Sequence, residues 1–411
     1  MISFKKKDLY IEDVKLSDVA KEYGTSVYVY SKQQILNNFK AYENALSAKE
    51  GIICFACKTN SNGAVLKILS DLGAGADTVS GGEIYRCLKA GFEPSKIVYA
   101  GVGKTAEEIS YALKNKILMF NVESLEELAV IDKIAGNLKT KANIALRINP
   151  NVNPHTHSYI ATGKKGTKFG IPYEDAVSAY LTAKKKKNIN ILGIHMHIGS
   201  QILEVAPFKI AAQKVKKIVD EIESNGIHIS YIDCGGGLGI KYEKGEKVPS
   251  PKQLMSEIFS VFNKDRKFIF EPGRSVIGDA GHLLAKVLYR KMSGGKSFLI
   301  TDAGMNDLIR PTLYSAYHEI IPIKKTIAKK VKSDVVGPVC ESGDFMGKDR
   351  MLPIIQQGEY LLISCAGAYG AAMSSQYNSR PLCAEVLVDG SEMKLIRKRA
   401  SYEDLMLNEI M

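Results

Sequence analysis

Gly51-Ile52-Ile53-Cys54-Phe55-Ala56-Cys57-Lys58-Thr59-Asn60 is an apolar run that ends on a charge. The run reads as a short buried strand. Packing explains its lysine poorly, because a buried ammonium needs a partner or loses its proton. A lysine that gives up its proton is a nucleophile, and its commonest use is an imine with a carbonyl cofactor. The plainer reading is a strand cap whose amine reaches solvent. Outward from this stretch the same unit recurs: an apolar strand, a turn, an amphipathic segment. Strands are expected at 51–58, 76–80, 96–101, 117–122, 143–149, 190–198, 231–234 and 267–270. Helical periodicity fills the gaps, as in Leu125-Glu126-Glu127-Leu128-Ala129-Val130-Ile131. Eight strands, with a helix after each of the first seven, predict an α/β fold, a (β/α)8 TIM-type barrel of about 250 residues. An open doubly wound sheet is the weaker alternative, since no GxGxxG follows the first strand.

After Gly281 the rhythm changes. Strands are expected at 283–289, 296–300, 320–323, 335–339, 360–363 and 384–388, joined by turns such as Asp389-Gly390. Val27-Tyr28-Val29-Tyr30 reads as a further strand, with Ser31 capping the helix that follows. The expected division is a barrel at 33–278 and a discontinuous all-β domain, sandwich- or barrel-like, at 1–32 and 279–411. Ser401 is expected to cap a last short helix.

The chain has 411 residues, too many for one core. No apolar run reaches the ~18 residues of a membrane span, and no apolar segment follows the first charges as in a secretory signal. Seven cysteines, an odd and scattered set, suit a reducing cytosol. Cys54 and Cys57 form a lone CxxC without a second pair, so no metal is expected. The net charge of +12 lies in short lysine runs between elements rather than on a basic helix with aromatics. That describes a solvated surface, with some charge to spare for an anionic substrate, and not a nucleic-acid site.

In such a barrel the chemistry sits at the C-terminal ends of the strands. Those ends carry Lys58, Asp77, His195 and His197, then Gly235-Gly236-Gly237, then Glu271-Pro272-Gly273-Arg274. Three glycines let backbone N–H groups approach a phosphate, or merely make a tight turn. His195 and His197 alternate along their strand, and one of them could lie flat on a cofactor ring, or both could be satisfied core histidines. Glu271 could keep a pyridine nitrogen protonated, or pair with Arg274. Together these groups suit an aromatic aldehyde bearing a phosphate: pyridoxal 5'-phosphate. The polar, glycine-bearing segment 149–170 is a candidate lid or a surface excursion.

The chain resembles the diaminopimelate decarboxylases, whose fold is shared with eukaryotic-type ornithine decarboxylase and alanine racemase. The resemblance rests on Phe55-Ala56-Cys57-Lys58-Thr59-Asn60, Val79-Ser80-Gly81-Gly82-Glu83, Thr156-His157-Ser158-Tyr159-Ile160-Ala161-Thr162-Gly163 with Lys168-Phe169-Gly170, His197-Ile198-Gly199-Ser200-Gln201, Gly235-Gly236-Gly237-Leu238-Gly239, Glu271-Pro272-Gly273-Arg274, Arg310-Pro311 with Tyr314, Cys340-Glu341-Ser342-Gly343-Asp344 and Gly367-Ala368-Tyr369-Gly370. Thr59 departs mildly from the family's usual alanine. The resemblance implies that Lys58 carries the imine, His197 stacks on the ring and Glu271 faces the pyridine nitrogen. It implies that Ser200, the glycine triplet, Arg274 and Tyr369 gather around the phosphate, with Asp77 and Gly273 in the same cofactor site. It implies substrate contacts at Arg274, Arg310, Tyr314, Glu341 and Tyr369. Cys340 becomes the proton donor, supplied by the second subunit of a homodimer. Arginine forks and Glu341 suit the carboxylate and ammonium at the unreacting end of meso-2,6-diaminopimelate; two arginines would work against a distal amine alone. The expectation is a cytoplasmic enzyme that makes L-lysine and CO2, the last step of lysine biosynthesis.

Overall fold

Eight parallel strands close into a ring in the computed structural model, which describes residues 2–153, 163, 166–262 and 266–411. In chain order they are Gly51–Ala56, Gly75–Thr78, Ile97–Tyr99, Met119–Val122, Ala142–Asn149, Ile189–His195, Tyr231–Asp233 and Lys267–Phe270. Each pairs in parallel with the next, and Lys267–Phe270 returns to Gly51–Ala56. Each of the eight barrel strands expected from the sequence is present. Helices follow each of the first seven, from Gly63–Asp71 to Pro251–Phe259. Several are capped as their sequences direct: Ser80, Thr105, Ser124 and Ser250 each accept the N–H three residues on.

The period of two along each strand stacks the barrel interior in layers. Cys54, Val98, Met119, Ala145 and Ile269 form one apolar layer. Two residues further along the same strands come Ala56, Ala100, Asn121, Arg147 and Glu271. Asp77, His195 and Asp233 occupy the matching ends of the other three strands. All eight are buried. The apolar layer is thus topped, on the C-terminal side, by a layer rich in polar groups.

Chain contacts divide the molecule into two compact units. The barrel unit is Asn38–Ile240 with Lys247–Ser275; the other unit takes the chain up to Asn37, Lys241–Glu246 and Val276–Met411. The second unit holds a mixed sheet ordered Phe345–Pro353, Lys330–Val336, Lys296–Thr301, Gly281–Ser293, Val27–Ser31, Ala384–Asp389, Glu392–Arg397. Tyr360–Ile363 pairs with Gly281–Ser293 and with Ile320–Pro322. Val27–Ser31 lies inside the sheet, antiparallel to Gly281–Ser293 and parallel to Ala384–Asp389. Ser31 accepts the Gln34 N–H, as expected of a helix cap. Three features were not expected: a small sheet of Ile2–Lys5, Asp8–Ile11 and Val14–Lys15, the helix Leu16–Tyr23, and the strands Phe345–Pro353 and Glu392–Arg397. Leu9, Ile11, Leu16 and Val19 pack with Val27, Leu284, Leu362 and Val386 in one core. Among the described residues no helix is long and apolar enough to cross a membrane.

Candidate active site

Lys58 lies in a 3-10 turn, Cys57–Thr59, directly after the first barrel strand. Its Nζ donates to Asp77 Oδ2 at 2.6 Å; the lysine side chain is 32% exposed and the aspartate 0%. The lysine is thus partly open to solvent while its amine rests on a fully buried carboxylate. Burial and then the charge of Glu271 push the Asp77 carboxyl up to about 6, against the pull of Lys58. Burial likewise pushes Glu83, in the first turn of the helix Gly81–Ala90, up to about 7. Cys57 beside Lys58 is buried and lies 3.1 Å from Cys87 Sγ, while Cys54 turns to the Lys96 carbonyl. The CxxC residues face different partners, so the motif is a packing feature.

The strand-six and strand-seven ends interlock through the glycine turn. His197 Nδ1 accepts the Gly236 N–H at 3.1 Å, which leaves the proton of a neutral ring on Nε2. Burial, Arg147 and Lys58 hold its imidazolium form well below the usual histidine range. Gly235 donates its own N–H to Asp233 Oδ1 at 3.0 Å. Two of the three expected phosphate donors are thus engaged within the chain, and the triplet's necessity is steric. Gly235 has φ +65°, and a Cβ on Gly236 would run into the Glu271 carbonyl. A Cβ on Gly273 would meet the Thr59 side chain, so the loop after the last strand lies close against the Lys58 turn. Arg274 is buried, and its Nη2 donates to Ser200 Oγ at 3.0 Å. Glu271 is bonded to Asn121 at 3.2 Å and to His195 at 3.3 Å. Burial alone would raise Glu271; His195, with the charge of Lys58, brings it below the usual carboxylate range.

Lys58, Asp77, His197, Ser200, Gly235, Gly236, Gly237, Glu271, Gly273 and Arg274 therefore share the C-terminal side of one barrel. The donor set fits pyridoxal phosphate: an amine for its aldehyde, a neutral aromatic ring, a carboxylate for the pyridinium, and a guanidinium with a hydroxyl for the phosphate.

The other expected residues belong to the sheet unit. Arg310 opens the short helix Arg310–Tyr314. His318 Nδ1 lies 2.8 Å from the Ser364 carbonyl and donates to it, so its Nε2 accepts from Arg310 Nη1 at 2.8 Å. The Tyr242 ring lies 4.9 Å from the same guanidinium. Tyr314 ends this helix half-buried. Thr312 Oγ1 donates to the Gly343 carbonyl at 2.6 Å, joining the helix to the turn that carries Cys340 and Glu341. Both residues are exposed; Cys340 N–H bonds Asn378 Oδ1 at 2.7 Å. Tyr369 adopts φ +57°, uncommon for an aromatic residue.

Sequence reasoning missed Asn121 and Arg147. Arg147 Nη1 pairs with Glu123 at 2.6 Å, its guanidinium lies 4.8 Å from the Phe169 ring, and Glu123 also accepts the Gly170 N–H at 2.7 Å. This ties the end of the candidate lid to the barrel. The signal was a lone polar residue inside an apolar strand. The 156–162 part of the expected motif lies outside the described residues.

The fold and these groups define a pyridoxal-dependent decarboxylase of the barrel type. The family model described as "Pyridoxal-dependent decarboxylase, pyridoxal binding domain" matches residues 32–278. The chain is 50% identical to the diaminopimelate decarboxylase of Aquifex aeolicus, over 98% of this chain and 96% of that one. It superposes on the Helicobacter pylori diaminopimelate decarboxylase complexed with L-lysine with a TM-score of 0.93 and 43% identity, covering 96% and 99% of the two chains. For the M. jannaschii diaminopimelate decarboxylase in co-complex with L-lysine the TM-score is 0.95 and the identity 39%, over 100% and 98%. The chain belongs to the diaminopimelate decarboxylase family.

Proposed function

We propose that this chain removes one carboxylate of meso-2,6-diaminopimelate as CO2 and releases L-lysine, the last step of lysine biosynthesis, in the cytoplasm. Pyridoxal phosphate supplies an electron sink for the pair left when the carbon–carboxylate bond breaks. Lys58 binds it covalently through its amine, and Asp77 orients that amine. His197, held neutral, packs flat on the ring. Ser200 and Arg274 hold the phosphate with the glycine turn, Gly273 and Tyr369 beside them. Glu271 keeps the pyridine nitrogen protonated. At the far end of the substrate, Arg310, Tyr314 and Glu341 take the carboxylate and ammonium. Cys340 delivers a proton to the carbon that lost its carboxylate. Its exposure suits a thiol given to a second subunit, and a homodimer with two composite sites follows.

The observation that carries this reading is the Lys58–Asp77 pair at the C-terminal face, with Glu271 buried in the same polar layer. The test offers purified enzyme meso-diaminopimelate, ornithine, arginine and carboxynorspermidine and measures CO2. Release from the first alone is expected; release from a rival only would end the assignment.

A further inference from the structure

Glu271 is held from behind by three side chains that the reaction scheme leaves idle. Asn121 Nδ2 donates to Glu271 Oε1 at 3.2 Å and to Asp233 Oδ2 at 3.0 Å. His195 Nε2 lies 3.3 Å from Glu271 Oε2. Asp233 Oδ1 accepts the Gly235 N–H, and the Gly235 carbonyl accepts the Glu271 N–H at 2.8 Å. One ligand-type atom from each of His195, Asp233 and Glu271 lies within 4.8 Å of the others. All four residues are buried.

Packing does not call for such a group, because barrel interiors are filled by branched apolar side chains. Two of its atoms, His195 Nδ1 and Asn121 Oδ1, are buried with no hydrogen-bond partner among the described residues. Stability alone selects against that. The arrangement does have a logic around Glu271. Both of its oxygens are engaged from inside the barrel, one by an amide and one by an imidazole N–H. The bare Nδ1 of His195 is what remains when Nε2 carries the donated proton. Two neighbouring carboxylates in a dry interior do not both ionise. Burial, and then the charge of Glu271, push the Asp233 carboxyl well up, so Asp233 keeps the proton and Glu271 the charge.

We propose that Asn121, His195 and Asp233 are positioning residues that clamp the Glu271 carboxylate as a fixed anion aimed at the cofactor's pyridine nitrogen. The clamp rests on the reading of Glu271 in the proposed function. The sequence hides it, because each member is a single polar residue at the same level of a different strand.

The test loads full-length protein with pyridoxal phosphate labelled with 15N in the ring and reads the nitrogen's chemical shift at neutral pH. The wild-type signal is expected at the protonated position. Glu271→Gln moves it to the neutral-pyridine position. Asn121→Leu and His195→Leu move it part of the way, whereas His195→Gln, whose amide still donates, returns it to the wild-type position. A wild-type signal in Glu271→Gln would refute the partner role of Glu271 itself. A full shift there, with both leucine variants unmoved, would overturn the clamp and leave Glu271 in place. A signal in His195→Gln displaced as far as in His195→Leu would overturn the donated bond.

Discussion

In the barrel, the amine of Lys58 meets a fully buried carboxylate, and behind that pair stand Glu271, His195, Asn121 and Asp233, all buried and cross-bonded. In the sheet unit, Cys340 and Glu341 sit exposed on a turn, held by backbone bonds to Asn378 and Val339. Burial lets the barrel fix protonation states through desolvation and near neighbours, with little help from solvent. An exposed thiol has no such control until another surface covers it. The two halves of the proposed chemistry thus differ in setting: one lies buried within its fold, the other is exposed on a turn.

Four experiments break or sharpen this contrast. Lys58→Ala should have the largest effect, a loss of turnover of roughly 10⁴-fold or more, as when a covalent nucleophile is removed elsewhere. Retained turnover, or an unchanged spectrum of lysine-bound cofactor, would break the barrel half of the comparison. Cys340→Ser should slow turnover by roughly 10²- to 10⁴-fold, the worth of a placed proton donor. Mixed and reassorted with Lys58→Ala, it should recover roughly a quarter of wild-type activity, since half the dimers are hybrids and each hybrid has one intact composite site. No recovery on mixing would assign the thiol to its own chain.

Asp77→Asn tests burial through pH. Asp77 moves from 3.8 to about 6 on folding. Between those values the folded chain holds a proton that the unfolded chain has released, so stability falls as pH rises through the window. The asparagine variant cannot titrate. Its stability relative to wild type, from urea unfolding of cofactor-free protein, should climb across that window by up to about 3 kcal/mol. A flat difference would show that the carboxyl is not held up by burial. The smallest effect is expected at Cys57→Ala: about 1 kcal/mol of stability from lost packing, with turnover unchanged. A large loss of turnover would make the barrel cysteine functional after all.

The barrel was legible because strands buried on both faces are short apolar runs, and turns mark each end. The sheet was legible only in part. Phe345-Met346-Gly347-Lys348-Asp349-Arg350-Met351 breaks both apolar continuity and alternation, and the strand there is recognised by its pairing with Lys330–Val336. Lys58 stood out because it ends an apolar run, and His197, Glu271 and Arg274 because they lie at strand ends close to glycine or proline. Asn121 and Arg147 did not, each being one polar residue among apolar neighbours. Their meaning appears once eight strands are set in register and the polar residues fall in one layer.

Val27–Ser31 carries a last consequence. All five residues are buried, and the strand pairs with Gly281–Ser293 and Ala384–Asp389. During synthesis, at about 5–20 residues per second, it leaves the ribosome tens of seconds before its later partner. The whole barrel is translated in that interval. A nascent chain therefore carries an unpaired, apolar strand through most of its production, and this strand is where chaperone binding or misassembly is expected to begin.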